Sequence, residues 1–119
     1  MTEQTRLGKI EVSPSAIASL ASRAVLNSYG VVGMAAVNLR DGIAEVLSGD
    51  RSKRGVQVKL DGNEIVIDLF VVIEFGTRIS TVAGNIMSAV KFTVEKTLGV
   101  PVKEVNVHVQ GLRVSDSDC

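Results

Sequence analysis

Aromatic side chains are scarce in this chain: no Trp, one Tyr and three Phe in 119 residues. With 45% hydrophobic but only 3% aromatic residues, the core has to be aliphatic, built from Val, Ile, Leu and Ala. Cysteine is nearly absent too. The single thiol, Cys119, excludes an intrachain disulfide and suits a reducing compartment. It follows an acidic stretch, with no base or positive helix end beside it, so it reads as an inert terminal thiol and not as a nucleophile. Neither sign of charge is in excess, with 13 basic against 13 acidic residues. That balance argues against a nucleic-acid binder working through phosphate neutralisation, and it leaves association between like chains only weakly opposed. Long apolar runs are missing as well. The longest, Leu69 to Ile73, falls far short of the roughly 20 residues of a membrane span. Residues 1–6 lack the apolar run of a secretory signal. The expectation is a cytoplasmic protein of one domain, with any membrane contact peripheral or through a partner.

What is present is organised around a β-hairpin over residues 55–75. Val56, Val58 and Leu60 alternate with Gln57 and Lys59, the period of a strand buried on one face. Asp61-Gly62-Asn63 supplies residues that tolerate positive φ, so the chain reverses there. Ile65, Ile67, Leu69, Val71, Ile73 and Phe75 then share one face of a long, central strand, and Glu64, Val66, Asp68, Phe70, Val72 and Glu74 share the other. Val66, Phe70 and Val72 are apolar where a solvated face would be polar. Two readings stand: a protein–protein interface with self-association, or cover by Ile43, Val46 and Leu47 of the same chain.

Around this hairpin, residues 1–7 are expected to be a flexible N-terminus, 8–111 a single domain and 112–119 a flexible acidic tail. Leu7 to Val12 reads as a short strand. Ser13-Pro14 starts a helix, Ser as N-cap and Pro at the first helical position. This helix runs to about Ser28, with Ile17, Leu20, Ala21, Ala24 and Val25 as its apolar stripe and Gly30 as its stop. Val31 to Leu39 reads as a short strand, Ile43, Val46 and Leu47 as a turn or two of helix, and Ser48 to Gly55 as a polar, basic, mobile loop. A second helix is expected from about Ser80 to Leu98, with Val82, Ile86, Val90 and Val94 in one row, Gly99 as its stop and Pro101 preventing resumption. Val102 to Val109 makes the last strand. The order β-α-β-(short α)-β-β-α-β indicates an α+β fold: a mixed sheet with two long helices packed on one face.

No group of residues names a reaction. His108, the sole histidine, lacks the further ligands that a metal site gathers and a nucleophile to serve as base. It reads as a strand histidine on the non-core face, paired with a polar neighbour. Glu64, Asp68 and Glu74 share a strand face but stand about 13 and 20 Å apart at the usual rise, too far for paired-carboxylate chemistry. They read as a solvated face. Gly30-Val-Val-Gly33 lacks the ending of a phosphate loop and the spacing of a dinucleotide fingerprint. No catalytic, cofactor-binding or metal-binding residue is nominated. Arg51, Lys53 and Arg54 form a basic cluster that reads either as a solvated loop or as a contact for an anionic partner: RNA, a nucleotide or a membrane surface, with RNA disfavoured because Phe70 is the one plausible stacking aromatic.

Five segments together carry a resemblance: Gly8 to Pro14, Gly30 to Met34, Gly55 to Val58, Ile65 to Leu69, and Val105-Asn106-Val107-His108-Val109-Gln110-Gly111. In this order the chain resembles the bacterial alkaline-shock, or envelope stress response, protein family, over about residues 8 to 114. The resemblance implies a small cytosolic protein linked to cell-envelope or alkaline stress. Some members of that family resemble peripheral components held at the inner face of the membrane by a membrane-anchored partner. Together with the apolar face of Val66, Phe70 and Val72, the resemblance leads to the expectation of a homo-oligomer acting as a scaffold or interaction module. It implies no enzymatic activity and no cofactor. Two departures are visible. Ser15 stands where such proteins carry an acidic residue after Ser-Pro, and the C-terminal stretch is short.

Overall fold

The long strand β6 (Glu64–Glu74) is the centre of a five-stranded mixed sheet. The computed structural model describes residues 2–37, 45–47 and 49–114. Along one edge of β6 lie two strands end to end, both antiparallel to it: β5 (Val56–Asp61) against residues 64–69, and β3 (Val31–Ala35) against residues 71–73. The other edge pairs in parallel with β7 (Val102–Arg113). Helix α2 (Ile79–Leu98) connects β6 to β7, the crossover that a parallel neighbour requires.

Both helices cover one face of the sheet. The α2 row Val82, Ile86, Val90 and Val94 and the α1 (Pro14–Leu26) residues Ile17, Ala18, Ala21 and Val25 pack on Ile65, Ile67, Leu69, Val71 and Ile73. All five of these strand residues have no exposed surface. The local signals act as the residue types dictate. The Ser13 hydroxyl accepts the Ala16 amide at 3.1 Å and Pro14 opens α1. Gly99 ends α2 in the left-handed region, at φ 71°. Gly30 does not cap α1; Asn27 does. Gly30 is needed for another reason: at φ +86° a Cβ there would stand 2.8 Å from a Val82 methyl of α2.

Several sequence expectations are corrected. Residues 2–5 are not loose. Strand β1 (Thr2–Thr5) pairs antiparallel with β2 (Gly8–Glu11) in a separate hairpin, tied by Thr5 Oγ1, which accepts the Leu7 and Gly8 amides. Leu7 is fully exposed at its turn. Val46 and Leu47 are not helical. They form β4 (Val46–Leu47), antiparallel to β3, a two-residue strand too short to leave a sequence period. Ile43, the third residue of that expected helix, lies outside the described residues. The expected mobile loop is a 3-10 segment, Gly49–Gly55, with Ser52 buried inside it. Phe75, placed by its period on the core face, is 66% exposed, because β6 ends at Glu74 and Gly76 turns the chain away. The last strand runs past Val109 to Arg113, so residues 112 and 113 do not belong to a tail. The terminal residues 115–119, Cys119 among them, lie outside the described residues.

Candidate functional site

The face of β6 turned away from the helices carries the side chains with chemistry. Register decides what meets there. Val66 lies between Lys59 of β5 and Glu104 of β7, Asp68 lies between Gln57 and Asn106, and Phe70 lies beside His108. Side chains on adjacent strands of one face interact at this spacing.

Asp68 is the centre of the polar group. It is not part of a solvated face, as its period suggested, for it is only 8% exposed. The Asn106 amide donates to Asp68 Oδ1 at 3.1 Å, His108 Nε2 stands 3.2 Å from the same oxygen, and Lys59 Nζ lies 3.8 Å from Oδ2. Burial pushes the Asp68 carboxyl up. The hydrogen bonds from His108 and Asn106 and the nearby Lys59 and His108 charges outweigh that and hold it below its ordinary value. The imidazole of His108 is stacked on the ring of Phe70. His108 thus takes the place expected of it, on the non-core face and paired with a polar neighbour.

The candidate interface Val66, Phe70 and Val72 is not one surface. Val72 has no exposed surface, being enclosed by Ala35, Val46 and Phe70. Its cover comes from the same chain. Gln110 is the extra residue of a β-bulge in β7, and its amide donates to the Ala36 and Val37 carbonyls at 3.3 and 3.0 Å. Because β3 and β7 flank opposite edges of β6, those bonds draw the chain after β3 over Val72. Val46 therefore covers this end of the face, as one sequence reading had it, whereas Leu47 enters the core under the helices. Val66 and Phe70 remain partly open.

The three rows of this face carry Gln, Lys, Asp, Glu, Val, Phe, Asn and His, none of them a hydroxyl or a thiol that the Asp68–His108 pair could activate. Among the described residues, no three His, Cys, Asp or Glu cluster as a metal site would require. Glu64 and Glu74 stand at the two ends of β6, Glu64 exposed and Glu74 half-buried.

The basic cluster is split. Arg51 pairs with Glu45 at 3.0 Å. Lys53, which donates to the Ser15 hydroxyl at 3.3 Å, and Arg54 line one cleft together with Pro14, Ser15, Ala18 and Val58, and Arg51 is not part of that lining. On the sheet face, sequence reasoning missed Asn106 and Lys59 as partners of Asp68. The available signal was the parallel pairing of β6 with β7, and its register could not be set from the residues alone.

Among the described residues, no helix is long and apolar enough to cross a membrane. Comparison with solved structures gives a distant likeness to a chain titled MamM-CTD 215-293. It is 14% identical with a TM-score of 0.47, covers 84% of this chain and 96% of that one, and is too remote to carry an argument. Sequence comparison is more telling. The chain is 43% identical over 114 residues to the uncharacterized protein YloU of Bacillus subtilis (strain 168), covering 95% of each. It is 36% identical over 111 residues to the uncharacterized protein Spy1614 of Streptococcus pyogenes serotype M6, covering 92% of each. Residues 2–114 match the model of the ASP23 family, described as having a cell envelope-related function, and the chain belongs to that family.

Proposed function

We propose that this chain is a non-enzymatic interaction module that self-associates through the open face of its sheet, and that it acts in the envelope stress response as a scaffold at the inner face of the membrane. The observation that carries self-association is the row Lys59–Val66–Glu104, with a cation on one flank of an apolar centre and an anion on the other. A two-fold axis parallel to β6 lays this row on its own copy so that Val66 meets Val66, and Lys59 of each copy meets Glu104 of the other. Such a face is complementary to itself, and zero net charge removes the long-range repulsion that would oppose the pairing.

Charge exchange tests the reading. Exposed ion pairs contribute up to about 1 kcal/mol each, and the two-fold axis makes two. Lys59→Glu or Glu104→Lys alone is expected to weaken association roughly tenfold in sedimentation equilibrium. Combining the two exchanges restores it. A parent chain that stays monomeric at high concentration, or a double variant as weak as either single one, overturns the proposal. The membrane-peripheral role is supported by the family's envelope-related function. It predicts that the protein in its native cell sediments with the membrane fraction and is released by salt.

A further inference from the structure

A second place in the molecule is built differently from the sheet face. Between α1 and the 3-10 segment Gly49–Gly55 lies a cavity of about 340 Å³, lined by Ser19, Ser22, Arg23, Asn27, Ser52 and Lys53, with Leu26 and Gly49 completing the wall. Its size is that of a small-ligand pocket. No carboxylate belongs to the described lining, and no described acidic side chain pairs with Arg23 or Lys53. The C-terminal end of α1, capped by Asn27, carries partial negative charge that one cation offsets. Two leave a positive surplus.

Ser22 and Ser52 are 6% and 4% exposed, so they are built into the walls and not spread over a surface. The Ser22 hydroxyl donates to the Ser19 carbonyl at 3.0 Å, which leaves Ser52 as the hydroxyl free to turn. Ser52 Oγ reaches its acceptor, the Leu47 carbonyl, only at 3.4 Å. That is long for an O–H···O bond, so its proton can turn to a stronger acceptor at small cost. The Asn27 amide adds donors of its own. Hydroxyl, amide, guanidinium and ammonium donors around a pocket with no described anion are the groups that hold a phosphoryl oxygen cluster.

We propose that this cavity binds a phosphate monoester, with Arg23 and Lys53 supplying charge, Ser52 and Asn27 hydrogen bonds, and Leu26 meeting the apolar part of the ligand. The site is on the helix side of the sheet and does not depend on self-association. Two sources present the same dianionic group, a soluble phosphorylated metabolite and a phosphatidic-acid headgroup.

The full chain, labelled with nitrogen-15, is titrated with glycerol phosphate and with inorganic phosphate at about 0.15 M salt, and separately mixed with phosphatidic-acid vesicles against phosphatidylcholine controls. Saturable amide shifts confined to Ser19–Asn27 and Gly49–Lys53, weakened at least tenfold in Arg23→Gln, support the site with a soluble ligand. Vesicle co-sedimentation lost in Arg23→Gln, without a response to the soluble esters, supports it with the lipid source. Unchanged circular dichroism in Arg23→Gln separates either result from unfolding, and Lys53→Gln provides a second variant. No saturable response to any of these probes, or a response that Arg23→Gln and Lys53→Gln leave intact, overturns the proposal.

Discussion

The imidazole of His108 lies flat on the ring of Phe70, the centroids 4.5 Å apart and the planes 11° from parallel. These residues are paired in the parallel register of β7 and β6, so the stack is fixed by two backbones and not by side-chain preference alone. The stack covers part of Phe70, while the Nε2 edge of the ring stands at hydrogen-bonding distance from Asp68. One side chain thus serves an apolar and a polar neighbour at once. This makes a half-open sheet face with an aromatic in it compatible with a folded chain.

Asp68 gives this face a pH dependence whose sign follows from its partners. Burial pushes its carboxyl up, but His108, Asn106 and Lys59 outweigh that and hold it below its ordinary value in the folded chain. The unfolded state therefore binds more protons in this range, and stability falls as pH falls. The wild type is expected to exceed Asp68→Asn by about 1–2 kcal/mol at neutral pH. This advantage is complete above the ordinary aspartate pKa, about 3.9, and disappears as pH drops through the lowered folded value. Urea midpoints of both proteins between about pH 7 and pH 2 check it. Acid effects common to both cancel in the difference, so a difference that stays constant across the range would show that the partners do not hold the charged form.

Val72 and Val66, six residues apart on one strand face, are expected to respond in opposite ways to the same substitution. Val72 has no exposed surface, so Val72→Glu buries a carboxylate among Ala35, Val46 and Phe70 with no partner. The expected loss is roughly 3 kcal/mol or more, read as a large drop in melting temperature. Val66 is half-buried, between Lys59 and Glu104. There Glu can reach water, and the cost to folding stays near about 0.5 kcal/mol while self-association is lost. Circular dichroism melts alongside sedimentation velocity separate the two effects. A Val72→Glu protein that melts like the parent would mean that the chain after β3 does not seal this end of the face.

How much of this was legible in the residues depends on how far apart the contributors lie. The core face of β6 was, because alternation from Ile65 to Ile73 is a local signal and all five positions are buried. The α2 row Val82, Ile86, Val90 and Val94 was legible for the same reason. Asp68 was not. Its period places it on the open face, and its burial comes from Asn106 and His108, 38 and 40 positions away, through a register that no local pattern encodes. The end of β7 was misread because a bulge at Gln110 interrupts the alternation, so Gln110-Gly111 looks like a stop. Of the β1–β2 hairpin, β2 was legible in the stretch from Leu7 to Val12, whereas β1 and its pairing were missed. β1 is polar, and the turn is held by the Thr5 hydroxyl, where hydrophobic period is silent. The seal over Val72 combines a two-residue strand with a side-chain bond spanning more than seventy positions, neither visible as a pattern.

Two glycines that look alike in sequence are expected to respond with opposite sign to alanine. A Cβ on Gly55 would stand 2.7 Å from the Ala35 carbonyl oxygen and 3.0–3.1 Å from Met34 carbons. The carbonyl is backbone at the junction where β3 and β5 meet along β6, so it cannot move without disturbing the sheet. Gly55→Ala is therefore expected to cost about 1–3 kcal/mol, the range for overpacking in a well-packed core. Gly84 lies within α2, exposed, and apart from the helix's own backbone and its chain neighbours nothing stands within 4 Å of where its Cβ would be. Its helical backbone suits alanine, which a helix interior favours over glycine by about 1 kcal/mol. Gly84→Ala is expected to raise stability by about that amount, partly through the unfolded state, which loses freedom. Urea denaturation of the two single variants measures both. Opposite displacements of the midpoint at an unchanged slope are the expected result. A neutral Gly55→Ala would mean that the β3–β5 junction is looser than the distances around it imply.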